Sequence, residues 1–140
     1  WWGAGRRCDG VLAMTNDLIG KPYENGGRGP DSFDCWGLAR EVYSRFGVEI
    51  PDYSISADAC KKITGAINDA ISDKQWIRIT KPIFPCVVLL RVDLSFSHHI
   101  GVIISPSKFI HVRDYVMLER LDSPIWSCRI RGFWKYAKQD

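Results

Sequence analysis

The stretch PDSFDCWGL, residues 30–38, ends a glycine-rich loop and begins an amphipathic helix. Apolar residues recur at helical spacing as far as Phe46, and Gly47 is a typical helix end, so residues 34–46 are predicted to be helical. Cys35 lies in the first turn, where the positive end of the helix dipole and unpaired backbone N–H groups favour a thiolate. The thiolate is the form of cysteine that attacks carbonyl carbon. Cys35 is therefore a candidate nucleophile.

The rest of the chain predicts helices first and strands afterwards. Residues 8–19 carry apolar side chains at helical spacing and end at Gly20, and a further helix begins at Ser56. After Trp76, short β-rich segments alternate with turns, over residues 86–92, 98–104, 108–112, 115–121 and 127–134. This order predicts a single α+β domain over residues 1–140, with N-terminal helices packed on a five- to six-stranded antiparallel sheet.

Composition excludes several classes of protein. Hydrophobic residues make up 46% of the 140 residues and charged residues 25%, which is typical of a globular protein. A net charge of +3, without a Lys/Arg stripe among aromatic residues, argues against nucleic acid as a partner. The longest apolar run is of strand length, so no membrane span is expected, and the first residues lack the pattern of a signal peptide. The sequence leaves the native compartment and the oligomeric state open.

The five cysteines are spread along the chain without zinc-binding spacing. We therefore expect no metal site, no cofactor and no disulfide framework. Most of these cysteines are interpreted as small buried apolar residues, with Cys35 as the exception. The full set is Cys8, Cys35, Cys60, Cys86 and Cys128.

The hairpin after residue 98 sets the position of one histidine. A three-residue turn at 105–107 pairs Ile104 with Lys108, which places Gly101 opposite His111. A slip of one residue would reverse the faces, so the prediction depends on this turn. Gly101 is expected to leave room for a helix to approach the sheet.

In this register His99 and His111 share a face as diagonal neighbours, with Cβ atoms roughly 7 Å apart. Two imidazoles at that distance can share a hydrogen bond. His99 is then predicted to act as general base toward Cys35, and His111 to fix its tautomer.

Each of these residues also has a structural interpretation. A lone cysteine at a helix start is more often structural than catalytic, His99 can belong to a solvated strand end, and His111 can be a core histidine. The order of Cys35, His99 and His111, the helix-start context and the shared face together favour a cysteine peptidase or amidase.

Four motifs resemble those of the NlpC/p60 cysteine peptidases. They are GKPYENGG at residues 20–27, FDCWGL at 33–38, HIGV at 99–102 and FIHV at 109–112. The family pattern is a Pro-Tyr-rich loop, Asp-Cys-Ser-Gly-Leu, a His-Val-Gly strand and an Ile-His-Ala strand. The resemblance covers nearly the whole chain, and the ordered set is specific although each motif alone is weak.

The resemblance implies a papain-like fold and hydrolysis of amide bonds in bacterial cell-wall peptides, typically between D-glutamate and a diamino acid, without a cofactor. Cys35 matches the nucleophile, His99 the base and His111 the third polar residue. Tyr23 matches a tyrosine that lines the site and helps to stabilise the oxyanion. Asp34 matches an aspartate that meets the free amine of the substrate.

One residue departs from the family pattern. Trp36 stands where the family has Ser, which weakens the expectation of the usual stem-peptide specificity. Trp36 is assigned to the substrate-binding region, and the alternative is that it packs into the core. The sequence Asp-Cys-Trp-Gly-Leu also resembles the tail-associated members of bacteriophages, which implies action at the cell wall, phage tail proteins as partners, and delivery by a tail or by secretion.

Two alternatives to a peptidoglycan peptidase stay open. The same three residues could serve an amidase toxin or an acyltransferase with another substrate. Outside the enzymes, the domain could be a structural tail component or a binding module with a vestigial site.

Overall fold

The computed structural model describes residues 14–52, 75–91 and 98–137. Within these ranges the chain forms two α-helices, one 3₁₀ turn and six strands that build one antiparallel sheet in the order β1-β6-β2-β3-β4-β5. The α+β architecture with a six-stranded sheet is the one that the sequence predicts. The elements are the 3₁₀ turn Asn16–Leu18, α1 (Cys35–Arg45), β1 (Trp76–Ile79), β2 (Cys86–Arg91), β3 (His98–Ser105), β4 (Lys108–Val112), β5 (Val116–Arg120), α2 (Pro124–Ser127) and β6 (Ile130–Tyr136).

Helix α1 begins where a side chain satisfies its first backbone donors. Asp34 is the N-cap residue, and its Oδ1 accepts the N–H of Gly37 at 2.6 Å. Such a cap contributes about 1 kcal/mol to helix stability. At the other end, Gly47 has a φ of 81°, which is the left-handed conformation that commonly ends a helix. The predicted helix over residues 34–46 is confirmed to within one residue at each end.

One prediction about the C-terminal half is wrong. The strand expected to start at residue 127 begins at Ile130, because Pro124–Ser127 forms the helix α2. Ser123 caps this helix by accepting the N–H of Ile125, and Pro124 fits its first turn because no backbone N–H is needed there. The structure also has a strand, β1, where the sequence pattern predicts none.

Some sequence predictions lie outside the described residues. These are the first part of the helix over residues 8–19, the helix that begins at Ser56, and the surroundings of Cys8 and Cys60.

The sheet carries a hydrophobic cluster on each face. Even-numbered residues of β3 and β4 pack with α1 in the first cluster, whereas their odd-numbered neighbours pack in the second cluster with α2. This alternation is the period of two that a strand imposes on its side chains. The first cluster includes Leu38, Val42, Tyr43, Ile100, Val102, Ile104, Ile110 and Val112, and the second includes Cys86, Val88, Leu90, Ile103, Phe109 and Trp126.

The glycine-rich loop is fastened to the sheet and to α1. Its backbone bonds to the β4–β5 turn, with Gly20 N donating to Val116 O and Tyr23 N to Asp114 O, both at 2.9 Å. The contact with α1 is closer still, because a Cβ placed on Gly37 would lie 2.0 Å from the carbonyl oxygen of Gly27. Only glycine permits this approach, which fixes the loop against the helix turn that carries the cysteine.

The substitution Gly37→Ala tests this contact. In an ordinary helix interior, alanine is more stable than glycine by about 1 kcal/mol, yet here the clash with the Gly27 carbonyl should reduce the free energy of unfolding by about 2 kcal/mol. Gly47→Ala is the control, since open space surrounds that residue and only its positive φ costs about 1 kcal/mol. Urea unfolding measures both, and an unchanged or stabilised Gly37→Ala variant would contradict the contact.

Candidate active site

Cys35 is the first residue of α1 and is 6% exposed. Its thiol lies close to two backbone N–H groups, those of Trp36 and Ile100. Ile100 belongs to the part of β3 that, among the described strands, pairs with β2 and not with β4. The cysteine therefore meets the sheet next to His99, at the place where β3 and β4 separate.

Burial decides the protonation of Cys35. Loss of solvent, followed by the nearby negative charge of Asp34, raises the pKa of this thiol to about 12. The two backbone N–H groups and Arg28 oppose that shift without cancelling it. The expectation that the helix N-terminus favours a thiolate is therefore wrong for the resting protein, because desolvation outweighs the helix dipole.

His99 and His111 form a direct hydrogen bond, with 2.8 Å between Nε2 of His99 and Nδ1 of His111. The register behind this contact is the predicted one, but the turn is different. Val102 pairs with Ile110 as predicted, whereas the turn is closed by Ser105 and Lys108, and an irregularity between Ile103 and Ser105 absorbs the extra residue. A shorter turn and a bulge thus give the same pairing as a three-residue turn.

The histidines lie on the face of the sheet opposite α1. They alternate with Ile100 and Ile110, whose side chains pack with α1 in the first cluster. A Cβ on Gly101 would lie 2.8 Å from Cδ2 of Phe109 and 3.3 Å from Cβ of His111. The expectation that Gly101 makes room for the helix is therefore wrong, since this glycine makes room for two residues of β4.

The ring of His111 is packed against aromatic rings, and its Nε2 contacts a carboxylate. Its ring centroid lies 5.0 Å from that of Phe109 and 4.9 Å from that of Trp126. Its Nε2 lies 3.4 Å from Oε2 of Glu119, and that oxygen also accepts the indole N–H of Trp126. Sequence reasoning missed Glu119 and Trp126. The alternation of β5 places Glu119 diagonal to His111, which is the one signal that could have found it.

Both histidines are neutral in the resting protein. Burial lowers the pKa of His99 well below its usual value, and the neighbouring His111 and Arg113 act in the same direction. Burial also lowers the pKa of His111, to about 4, against the opposing effect of Glu119. The thiol of Cys35 and both imidazoles are therefore neutral in the resting protein.

Asp34 is held by structural partners. Besides capping α1, its Oδ1 accepts a hydrogen bond from Nη1 of Arg28 at 2.7 Å. Arg28 is fixed in turn by both oxygens of Asp52, at 3.0 and 3.1 Å. Oδ2 of Asp34 is buried and has no hydrogen-bond partner among the described residues.

The two remaining predicted site residues are Trp36, which is buried in the core, and Tyr23, which is half-buried. Trp36 is 3% exposed, its indole N–H donates to the carbonyl of Pro51 at 2.9 Å, and its ring packs edge-on against Trp76. The core alternative is thus the one that the structure adopts, and the assignment of Trp36 to substrate binding is not supported. Tyr23 is half-buried and bridges through its backbone to Phe33, two residues before the cysteine.

Among the described residues, no cluster of three or more His, Cys, Asp or Glu side chains could hold a metal ion. No helix in those ranges is long and apolar enough to cross a membrane. Of the other cysteines within the described ranges, Cys86 is buried as expected and Cys128 is exposed, contrary to expectation.

Residues 20–135 match the model of the NlpC/P60 family. The probable endopeptidase p60 of Listeria monocytogenes is 26% identical over 124 residues, which is 88% of this chain and 23% of the relative. The chain therefore spans about a quarter of the length of that relative.

Solved structures show a similar fold. The NlpC/p60 domain of the peptidoglycan hydrolase SagA superposes with a TM-score of 0.58 at 17% identity, covering 91% of this chain and 97% of that domain. A lipoprotein-like protein of the NLP/P60 family from Staphylococcus aureus superposes with a TM-score of 0.63 at 19% identity, covering 94% of this chain and 42% of that protein. At these identities the likeness concerns the fold.

Alkylation tests the raised pKa of Cys35. Because iodoacetamide reacts with the thiolate, labelling of Cys35 should accelerate about tenfold per pH unit between pH 8 and 11, without a plateau near neutrality. The exposed Cys128 should be labelled first at pH 8, and the buried Cys86, whose pKa is also raised to about 12, gives an internal comparison. Peptide mass spectrometry resolves the sites, and a plateau for Cys35 near pH 7 would contradict the assignment.

The buried histidines should make the fold sensitive to acid. Their pKa values are lowered in the folded state, so between pH 6.5 and about 4 the unfolded chain binds more protons and the free energy of unfolding falls as the pH falls. One such histidine contributes a slope of up to about 1.4 kcal/mol per pH unit.

Urea unfolding at several pH values measures this slope. His111→Asn should reduce it relative to the unchanged chain, because the variant has one fewer buried imidazole to protonate. Equal slopes in the two proteins would rule out His111 as a source of the acid sensitivity.

Proposed function

The chain belongs to the NlpC/P60 family, which comprises peptidoglycan-hydrolysing cysteine peptidases, and we propose that it hydrolyses peptide bonds in the stem peptides of peptidoglycan. The observation that carries the proposal is the 2.8 Å hydrogen bond between His99 and His111, because the residue after His99, Ile100, has its backbone N–H close to the thiol of Cys35. The named relatives, an endopeptidase and a peptidoglycan hydrolase, support the same class of reaction.

In the proposed mechanism, Cys35 is the nucleophile, His99 the general base and His111 the residue that orients His99. His99 takes the thiol proton while the sulfur attacks the scissile carbonyl carbon, because the neutral thiol is too weak a nucleophile by itself. Backbone N–H groups near the cysteine would stabilise the oxyanion, together with Tyr23, to which the family resemblance assigns this role. Protonated His99 then donates to the leaving amine, which gives a thioester that water hydrolyses.

The neutral resting state agrees with this sequence of steps. A buried ion pair would carry a large desolvation cost, whereas a neutral thiol and imidazole remain buried at little cost. Charge then develops in the transition state, where the fixed donors around the thiol act most strongly.

We also propose the bond next to D-glutamate as the site of cleavage, on the family resemblance. Recognition of a free amine by Asp34 is constrained here, because its Oδ1 already accepts from Gly37 and Arg28. An incoming ammonium group would have to displace Arg28 or reach the unpartnered Oδ2. Mass spectrometry of digested peptidoglycan fragments identifies the bond and the state of the amine.

A second candidate function is a peptidoglycan-binding module without catalysis. It is favoured by one observation, the 6% exposure of Cys35, which is typical of a closed cleft. Binding to purified peptidoglycan without release of fragments would select this candidate. The tail-associated role stays a prediction.

Substitution of the three residues tests the proposed mechanism. Cys35→Ala should abolish hydrolysis of soluble peptidoglycan fragments, and His99→Ala should lower kcat by about 10²- to 10⁴-fold through loss of the base. His111→Asn should have a smaller effect, since His99 remains.

The exposed Cys128→Ala is the matched control and should leave both activity and melting temperature unchanged. Circular dichroism checks that each variant is folded. Full activity in folded Cys35→Ala would reject the mechanism, and a larger loss in His111→Asn than in His99→Ala would reject the assignment of base and orienting residue.

A further inference from the structure

A chain of polar groups crosses three strands and ends at Glu119. It runs from His99 Nε2 to His111 Nδ1, and from His111 Nε2 to Oε2 of Glu119. The indole N–H of Trp126 donates to the same Oε2. Each contact joins one donor site to one acceptor site, so the proton position at one end decides the proton positions along the chain.

The direction of the hydrogen bonds follows from the groups at the far end. A carboxylate accepts hydrogen bonds and donates none, and an indole N–H donates only. Oε2 of Glu119 therefore accepts from Trp126, and His111 must present a proton on Nε2 to be the second donor. A neutral imidazole has one N–H, so Nδ1 of His111 then carries a lone pair.

The same reasoning fixes His99. Because Nδ1 of His111 is an acceptor, Nε2 of His99 must be the donor in the 2.8 Å bond. The lone pair of His99 then lies on Nδ1. With the opposite tautomer of His111, the lone pair on its Nε2 would face the lone pairs of the Glu119 carboxylate.

The position of Glu119 suits this task. It lies on β5 with a side chain that is 26% exposed, whereas His111 is 1% exposed. Trp126, which is 3% exposed, covers the ring of His111 at 4.9 Å and holds the carboxylate oxygen. Among the described residues, the charge of Arg113 also acts on His111, and its guanidinium lies 6.0 Å from the centroid of the Trp126 ring.

We propose that Glu119 is a positioning residue that holds His111 protonated on Nε2, so that His99 is protonated on Nε2 and takes the cysteine proton on Nδ1. The inference rests on the proposed function for the role of His99 as base. The tautomers themselves do not depend on that function, and they can be measured in the resting protein.

Nuclear magnetic resonance tests the proton positions. Long-range proton–nitrogen correlations distinguish a protonated from an unprotonated ring nitrogen, and the chain has three histidines to assign. In the unchanged protein at pH 7.5, His99 and His111 should both be protonated on Nε2. Protonation of His111 on Nδ1 would overturn the proposal, and this measurement requires no variant.

Two substitutions of Glu119 separate hydrogen bonding from charge and from packing. Glu119→Gln keeps a carbonyl oxygen that can accept from Trp126 and His111, so it should retain the tautomers and most of kcat. Glu119→Met keeps the volume without an acceptor, so His111 should populate both tautomers and kcat should fall roughly 10- to 100-fold with little change in KM. A purely structural role would affect both variants in proportion to their stability.

Asp122→Asn is the matched control, because this carboxylate is 66% exposed and pairs with Arg120. It removes a charge close to the same strand without touching His111, and should leave tautomers and kcat unchanged. Unaltered tautomers in folded Glu119→Met would overturn the proposal. An unchanged protein with the expected tautomers but without hydrolytic activity would instead overturn the proposed function and leave the role of Glu119 in proton placement supported.

Discussion

The hydrogen bonds of Asp34 determine where the site is built. Its Oδ1 accepts the N–H of Gly37 and a guanidinium N–H of Arg28, which fixes the first turn of α1 and the glycine-rich loop in one contact. Cys35 follows Asp34 directly, so the bonds that fix the cap residue also fix the backbone that carries the thiol. The 1% exposure of Asp34 strengthens these bonds, because charge-assisted bonds are worth more away from solvent.

Burial then determines the protonation of Cys35, His99 and His111. The pKa of Cys35 is raised to about 12, and the pKa values of His99 and His111 are lowered. A helix dipole acts over a single turn and is worth less than the loss of solvent around a thiol. The thiol and the two imidazoles are therefore uncharged at rest, and the imidazoles bond to each other and to Glu119.

The sequence predicts the parts of this site that depend on local patterns. Helical spacing and the glycine stop are sufficient to locate α1, and strand alternation places His99 and His111 on one face. It did not single out Glu119, because a Glu in a half-exposed strand looks like an ordinary solvated residue unless the pairing of β4 with β5 is known. It also missed Trp126, because residues 127–134 resemble a strand and the short helix α2 depends on the Ser123 cap.

The predicted pairing of β3 with β4 is correct, although the turn that was expected to cause it is not the one that forms. The expected three-residue turn is replaced by a turn closed by Ser105 and Lys108, and a bulge near Ile104 restores the pairing of Val102 with Ile110. Without that bulge, the pairing would shift by one residue and place His99 and His111 on opposite faces. The hydrogen bond between the imidazoles and the packing of Ile104 in the first cluster require the same register. Core packing and the polar chain therefore select one pairing together, and the turn adapts to it.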